Sequence, residues 1–303
     1  MQRSIQVNKI NEFTGHSGAI YGLYVSPVSA KVYTGGTDGY IVEWDLGNAA
    51  EGRLIGRLDQ PIYCIFLFEP SQQLWVGTAN GHIHILDLGS KTEIKNLVSH
   101  EQGVYDIKML NGKLYAAGGD GCISMWDAQK MELRTLKKFS DKSARVITCS
   151  PSKSLLAVGF SDFSIVLMDE NLAVFELIQN AHTNSVFSLA FNGDGTQLYS
   201  GGRDAMLKIW NVAADVTLMK EIPAHNLHIH AIAIQNEENY FISSSMDKTI
   251  KIWDMQDFTL LKVLDKARNE SHVNSINKIA WVNAYQFVSI SDDKKLMFWE
   301  LIS

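Results

Sequence analysis

The sequence predicts an all-β chain built from seven similar units of about four strands each, and three observations predict it. Asp45, Asp87, Asp127, Asp169, Asn211, Asp254 and Glu300 each close a strand-like run, at intervals of 42, 40, 42, 42, 43 and 46 residues. A constant period of that length means one supersecondary unit repeated along the chain. Short apolar or alternating runs are separated by turn clusters rich in Asn, Asp and Gly, and a quartet of polar side chains recurs at fixed spacing.

The unit from Ala181 to Asn211 is the clearest. Val186 to Phe191 (VFSLAF) reads as a strand that runs into the turn Asn192-Gly193-Asp194-Gly195, whose residues tolerate left-handed backbone. Gln197 to Gly201 gives a second strand, Gly201 to Ala205 a turn, Met206 to Asn211 an alternating third strand, and Val216 to Ile222 a fourth. Its quartet is His182, Ser200, Asp204 and Trp210. A carboxylate accepts, imidazole and hydroxyl do both, and indole only donates, so the four can satisfy one another in a buried chain.

Ala-His at 181–182 and Trp-Asn at 210–211 stand where Gly-His and Trp-Asp are usual in WD40-repeat β-propellers, and the chain resembles that family over its whole length. The resemblance implies a seven-bladed β-propeller of four-stranded antiparallel blades, with the quartet hydrogen-bonded inside each blade. Complete quartets recur as His16, Thr34, Asp38, Trp44; His225, Ser243, Asp247, Trp253; and His272, Ser289, Asp293, Trp299. The third unit keeps His100, Asp120 and Trp126 but has Ala116 where the hydroxyl belongs. The second unit is degenerate (Val76, Asn80, Leu86), and the fourth retains Asp162 between Val158 and Met168.

Length alone points to two domains, but the repeat overrules that prior and predicts one domain over residues 1–303. In it residues 1–13 form the closing outer strand of the last blade, Ser4 to Phe13 supplying the strand that unit seven lacks. That closure is expected to remove the free sheet edges that invite association. The composition, 46% hydrophobic and 20% charged, is that of an ordinary globular chain. Three cysteines without ligand spacing read as buried strand residues of a protein in a reducing compartment. The start, MQRSIQVNKINEF, has no apolar leader core, and no later run is long enough to span a bilayer, so a cytoplasmic protein without membrane contact is expected. A net charge of −6 argues against nucleic acid, which needs cationic surface.

Function has to lie where the fold does not dictate the residue. The fifth residue after each quartet histidine, which the resemblance places near the mouth of the central channel, is Tyr21, Tyr63, Tyr105, Arg145, Phe187, His230 and Asn277 in turn. The residue before the quartet Asp includes Arg203, and the third residue after the histidine is small except at His228. The small residues are expected to leave room for something to enter. Large aromatic rings with arginine mark interaction hot spots, although strands favour aromatics for packing too. These nine residues are therefore the candidate contacts for a protein or peptide partner.

Two anchors fit. A Lys or Arg of the partner suits ring faces, with Tyr21, Tyr105 and Phe187 the candidates that the family resemblance implies. An acidic or phosphorylated group suits Arg145, Arg203, His228 and His230. The alternative is a metal-dependent or small-ligand propeller using His228 and His230, two apart on one strand. Two histidines fall short of the three protein ligands a catalytic metal takes, and Ser-His-Asp sets repeated at blade spacing are scaffold, not catalytic triads. His82 and His84 are expected to be surface residues. The reading is a non-enzymatic scaffold with no cofactor and no metal.

Overall fold

The computed structural model describes residues 5–48, 52–235, 237 and 239–302. Of the strand expected from Ser4, residue 4 lies outside them. Seven four-stranded antiparallel sheets follow one another around an axis. Blade 1 is Ile20–Val25, Lys31–Gly36, Tyr40–Asp45 and Arg53–Arg57, and the pattern repeats up to blade 7. The first strand of each sheet packs against the first strands of its two neighbours, so these seven strands form the wall of a central channel. The core lies between successive sheets: Ala157 and Leu167 of blade 4, for example, pack with Val186, Leu198 and Trp210 of blade 5. In the clearest unit the strands are Val186–Phe191, Gln197–Gly202, Met206–Asn211 and Thr217–Pro223, within a residue of expectation.

Blade 7 takes Gln6–Thr14 as its outermost strand, paired antiparallel with Lys295–Ile302 from Gln6 opposite Ile302 to Thr14 opposite Lys295. The strand is held by side chains as well: Val7 is buried in the blade 7 core, and Phe13 sets its ring edge against Trp44 of blade 1 at 5.7 Å. Closure does not remove free edges, however. Every sheet keeps one outer strand whose far side is unpaired, and in blade 7 that strand is Gln6–Thr14 itself.

The quartets behave as the donor and acceptor count requires. In blade 5 the Trp210 indole donates to Ser200 Oγ at 2.9 Å, and the same hydroxyl lies 2.8 Å from His182 Nε2. Having accepted from indole, the hydroxyl gives its own proton to Nε2. The imidazole proton then sits on Nδ1, which donates to Asp204 at 3.0 Å. Backbone N–H groups of Thr183 and Met206 complete the carboxylate. Burial alone would raise the Asp204 carboxyl, but these donors outweigh it and take it down to about 2. Burial also lowers His16, His100 and His225 against the pull of their aspartates, in keeping with the neutral tautomer.

Blade 3 departs from expectation. Its quartet is whole, because Ser124 supplies the hydroxyl that Ala116 lacks: Trp126 Nε1 donates to Ser124 Oγ at 2.8 Å, and His100 Nε2 lies 2.9 Å from it. Ala116 and Ser124 are direct cross-strand partners, so the hydroxyl has moved one strand outward while staying at the same point between imidazole and indole. Blade 4 has Ser140 in the histidine place, and Ser140 and Ser164 both donate to Asp162 at 2.5 Å. In blade 2, Thr78 donates to Asn80 Oδ1 at 2.7 Å, and the buried Trp75 stacks edge-on against Trp126.

Two other expectations need correction. Only Cys64 is fully buried, while Cys122 and Cys149 are half-buried; all three are unpaired. His84 is not a surface residue: its side chain is 12% exposed, with Nδ1 3.0 Å from Glu93 of the outer strand and Nε2 buried without a hydrogen-bond partner among the described residues.

Ser124→Ala strands His100 Nε2 and Trp126 Nε1 and is expected to cost about 3 kcal/mol in urea unfolding, with Ala116→Ser added to it recovering most of the loss. Stability is also expected to fall with acid in two stages. Unfolded histidines gain protons as pH drops below 6.5 while folded His16, His100 and His225 resist. The Asp204 contribution, present above 3.8, is then lost as pH falls towards 2. A urea midpoint that stays flat from pH 7 to pH 3 would contradict this.

Candidate functional site: the channel mouth

Each innermost strand carries a β-bulge, and in all seven blades the extra residue is the one singled out by spacing. In blade 3, Val104 pairs with Gly118 and Asp106 with Ala117, leaving Tyr105 unopposed. The same break falls at Tyr21, Tyr63, Arg145, Phe187, His230 and Asn277. A bulge bends its strand and re-aims the extra side chain. Here it turns one side chain per blade towards the axis at a common height, and all seven line one cavity of about 440 Å³, with Thr37, Pro61 and Lys278 completing its wall.

The side chains form a belt. Tyr21 meets Tyr63 edge-on at 6.0 Å, and Tyr63 stacks on Tyr105 at 5.3 Å. The Arg145 guanidinium lies 4.3 Å from the Tyr105 centroid and 5.8 Å from that of Phe187, and Phe187 stacks on His230 at 5.7 Å. Asn277 closes the circle by donating to the backbone carbonyl of Ile20 in blade 1 at 2.9 Å and to Asp292 at 2.8 Å. The room expected beside the small residues is partly filled from within: a Cβ on Gly103 would come within 2.9 Å of the Tyr63 ring, which occupies that space.

Arg145 is held by Nε, which donates to Ser161 Oγ at 2.9 Å. Its Nη groups make no ion pair among the described residues. His230 is pushed down to about 4, mainly by burial, with the charge of His228 adding to the effect; His228 is itself lowered by burial and Arg203. Both are neutral at pH 7, so Arg145, Arg203 and Lys278 carry the positive charge of this region. Arg203 and His228 stand outside the cavity wall; His228 reaches it through Phe187, 5.8 Å away. The His228 and His230 rings are perpendicular at 6.1 Å, and among the described residues no three His, Cys, Asp or Glu converge to hold a metal.

The floor is a charge cluster that spacing did not find. Asp106 of blade 3 lies 3.5 Å from Lys108 and 3.5 Å from Lys278, which belongs to blade 7. It also accepts from the backbone N–H of Ile107 and Ile147. Burial would raise this carboxyl, but the two ammonium groups and the backbone donors hold it below the usual range. The Lys108 side chain is 45% exposed. The discernible signal was a charged residue immediately after a belt position, as in Tyr105-Asp106 and Asn277-Lys278. Burial pushes the nearby Cys64 and Cys149 thiols up to about 12, which disfavours the thiolate.

A larger cavity, about 720 Å³, lies at the far ends of the blade 2 and 3 strands around Phe68, Met109 and Trp126. Its cations are already neutralised, Lys113 by Glu170 and Arg134 by Asp127. The mouth is the better candidate because its guanidinium is not.

Seven blades with buried His-Asp-hydroxyl-Trp chains around a side-chain-lined mouth define a WD-repeat β-propeller. The chain belongs to the β-propeller family described as the nucleolar protein 10-like N-terminal domain, which it matches over residues 45–298, and residues 7–45 match the WD domain, G-beta repeat. Among curated proteins it is similar to Protein tipD of Dictyostelium discoideum, 28% identical over 95% of this chain and 48% of that protein. It is also similar to the DDB1- and CUL4-associated factor 11 homolog of Caenorhabditis elegans, 31% identical over 43% of this chain and 22% of that protein. A third is the ribosome biogenesis protein WDR12 homolog of Trichoplax adhaerens, 29% identical over 48% of this chain and 34% of that protein. The chain thus spans about half or less of the length of these relatives.

Asp106→Asn leaves two ammonium groups facing each other and is expected to cost about 2 kcal/mol in urea unfolding, less than a fully dry pair would because Lys108 reaches water. Adding Lys278→Met should return part of the loss, and an unchanged midpoint in both variants would show that the floor carries no strain.

Proposed function

We propose that the protein is a non-enzymatic docking platform that seats one acidic or phosphorylated side chain of a partner peptide or protein in the channel mouth. The observation that carries this reading is Arg145, whose guanidinium lies on Tyr105 and beside Phe187 in the wall of the cavity, without a counter-ion among the described residues. Two of the three ring faces suited to a partner's Lys or Arg, those of Tyr105 and Phe187, thus already have a cation of the chain's own. A guanidinium stacked and pinned by Ser161 is pre-organised to take a carboxylate or phosphate through two parallel N–H donors.

The relatives' names support the general role. One is a factor associated with DDB1 and CUL4, and another is a ribosome biogenesis protein. A chain of net charge −6 makes nucleic acid the less favoured occupant, and three unpaired thiols favour the cytoplasm. The cavity is sized for one or two side chains, not for a threaded segment, since the Asp106–Lys278 pair crosses the channel below it.

Arg145→Ala, with its melting temperature unchanged, is expected to weaken the binding of a partner captured by the wild-type protein by at least about tenfold, the worth of a charge-assisted pair, and the loss should shrink as salt is raised. Equal capture by both proteins, measured in the same lysate, would move docking away from the mouth.

A further inference from the structure

The seven outer strands differ in how their free edges are protected. Six carry at least one Lys or Arg: Lys9 in blade 7, Arg53 and Arg57 in blade 1, Lys95 in blade 2, Arg134, Lys137 and Lys138 in blade 3, Lys220 in blade 5, and Lys262 in blade 6. Such cations, lysine above all, keep a sheet edge from pairing with another chain. The outer strand of blade 4, Val174–Ile178 (VFELI), has no Lys, Arg or Pro. Val174, Phe175 and Leu177 are 47%, 51% and 44% exposed. All seven outer strands share one bulge, so it is the missing cation that sets this one apart.

A second observation gives the edge a charge. No Lys or Arg occurs anywhere between Lys153 and Arg203, whereas Asp162, Asp169, Glu170 and Glu176 all fall in this blade. Glu170 is tied to Lys113, and Lys137 of blade 3 reaches across only to the carbonyl of Leu172. Glu176, in the middle of the strand, makes no ion pair among the described residues. It pairs with Leu167 and its neighbour Leu177 with Val166, so the two side chains lie on opposite faces of the sheet.

We propose that Val174–Ile178 accepts an extended basic segment of a partner protein as a fifth strand of blade 4. A Lys or Arg of that segment stands opposite Glu176, and an apolar residue stands opposite Leu177. Main-chain hydrogen bonds supply the affinity in such strand addition, and the alternating side chains supply the choice of partner. A second copy of the chain fits less well. A two-fold pairing centred on the strand sets Glu176 against its own copy, which is destabilising. One five-residue strand pair also covers far less than the roughly 800 Å² per partner that stable dimers bury.

The probe is a fluorescein-labelled heptapeptide of alternating valine and lysine, Val at both ends, with a glutamate-for-lysine version as control, titrated by fluorescence anisotropy. The lysine peptide is expected to bind about fivefold more tightly than the glutamate peptide, from one cross-strand pair turned from attraction to repulsion. Glu176→Lys should invert that order, an outcome that misfolding does not produce. Titrated on Arg145→Ala, which removes the mouth's guanidinium, the lysine peptide should bind unchanged and the order of the two should stand, and Leu177→Lys should abolish binding of the lysine peptide, which separates this edge from the mouth. No binding of the lysine peptide, an order that Glu176→Lys leaves unchanged, or lysine-peptide binding lost in Arg145→Ala would each overturn the proposal. So would a concentration-dependent dimer in sedimentation that Leu177→Lys dissolves, because the edge would then belong to a second copy.

Discussion

A buried hydroxyl that has accepted an indole proton has one proton left to give, and that constraint orders each complete blade. It makes the neighbouring imidazole nitrogen an acceptor, puts the imidazole proton on the far nitrogen, and so requires a carboxylate beyond it. The carboxylate gathers the backbone N–H groups of two loops, as Asp204 does with Thr183 and Met206. Loop positions are thereby set by a chain of proton assignments that begins inside the sheet. Blade 3 shows that the constraint is geometric. The hydroxyl comes from Ser124 on the next strand, and the imidazole and indole are served equally well.

Once the loops are fixed, the inner strands enter the ring at one height, and the bulge in each turns one side chain into the opening. The mouth therefore follows from the scaffold, while its chemistry is free to vary. Four aromatic rings, an arginine, a histidine and an asparagine occupy geometrically equivalent places. Asp106 and Lys278 then act as a spoke between blades that are not neighbours, and the cup above them is preformed. A preformed cup loses little entropy on binding.

Most of the fold was legible in the sequence because turn lengths are nearly constant, so linear spacing carries over to position in the blade. All seven belt residues could be read that way without any knowledge of the bulges that aim them. What escaped was whatever depends on cross-strand or cross-ring register. Ser124 replaces Ala116 only because the two are paired across strands. Asp106 meets Lys278 only because the ring closes. Arg145 was legible as a rim cation, but its seat on Tyr105 was not, since neighbouring blades and not neighbouring residues bring them together. His84 looked exposed for a related reason: Glu93, which meets its Nδ1, stands on a strand paired with its own.

The seam of blade 7 has a consequence in time as well as space. Gln6–Thr14 is made before the other strands of the propeller and its partner, Lys295–Ile302, after them. Until that partner exists, Val7 and Phe13 have only part of a core to enter, Phe13 the blade 1 side around Trp44 and Val7 the blade 6 side, and six other sheets can form while the first strand waits. The final pairing closes the longest loop in the fold, the slowest kind of contact to find. The ring is thus assembled like a necklace whose clasp is cast first and fastened last, and an outer strand with three apolar side chains stays unpaired until the seventh sheet is made.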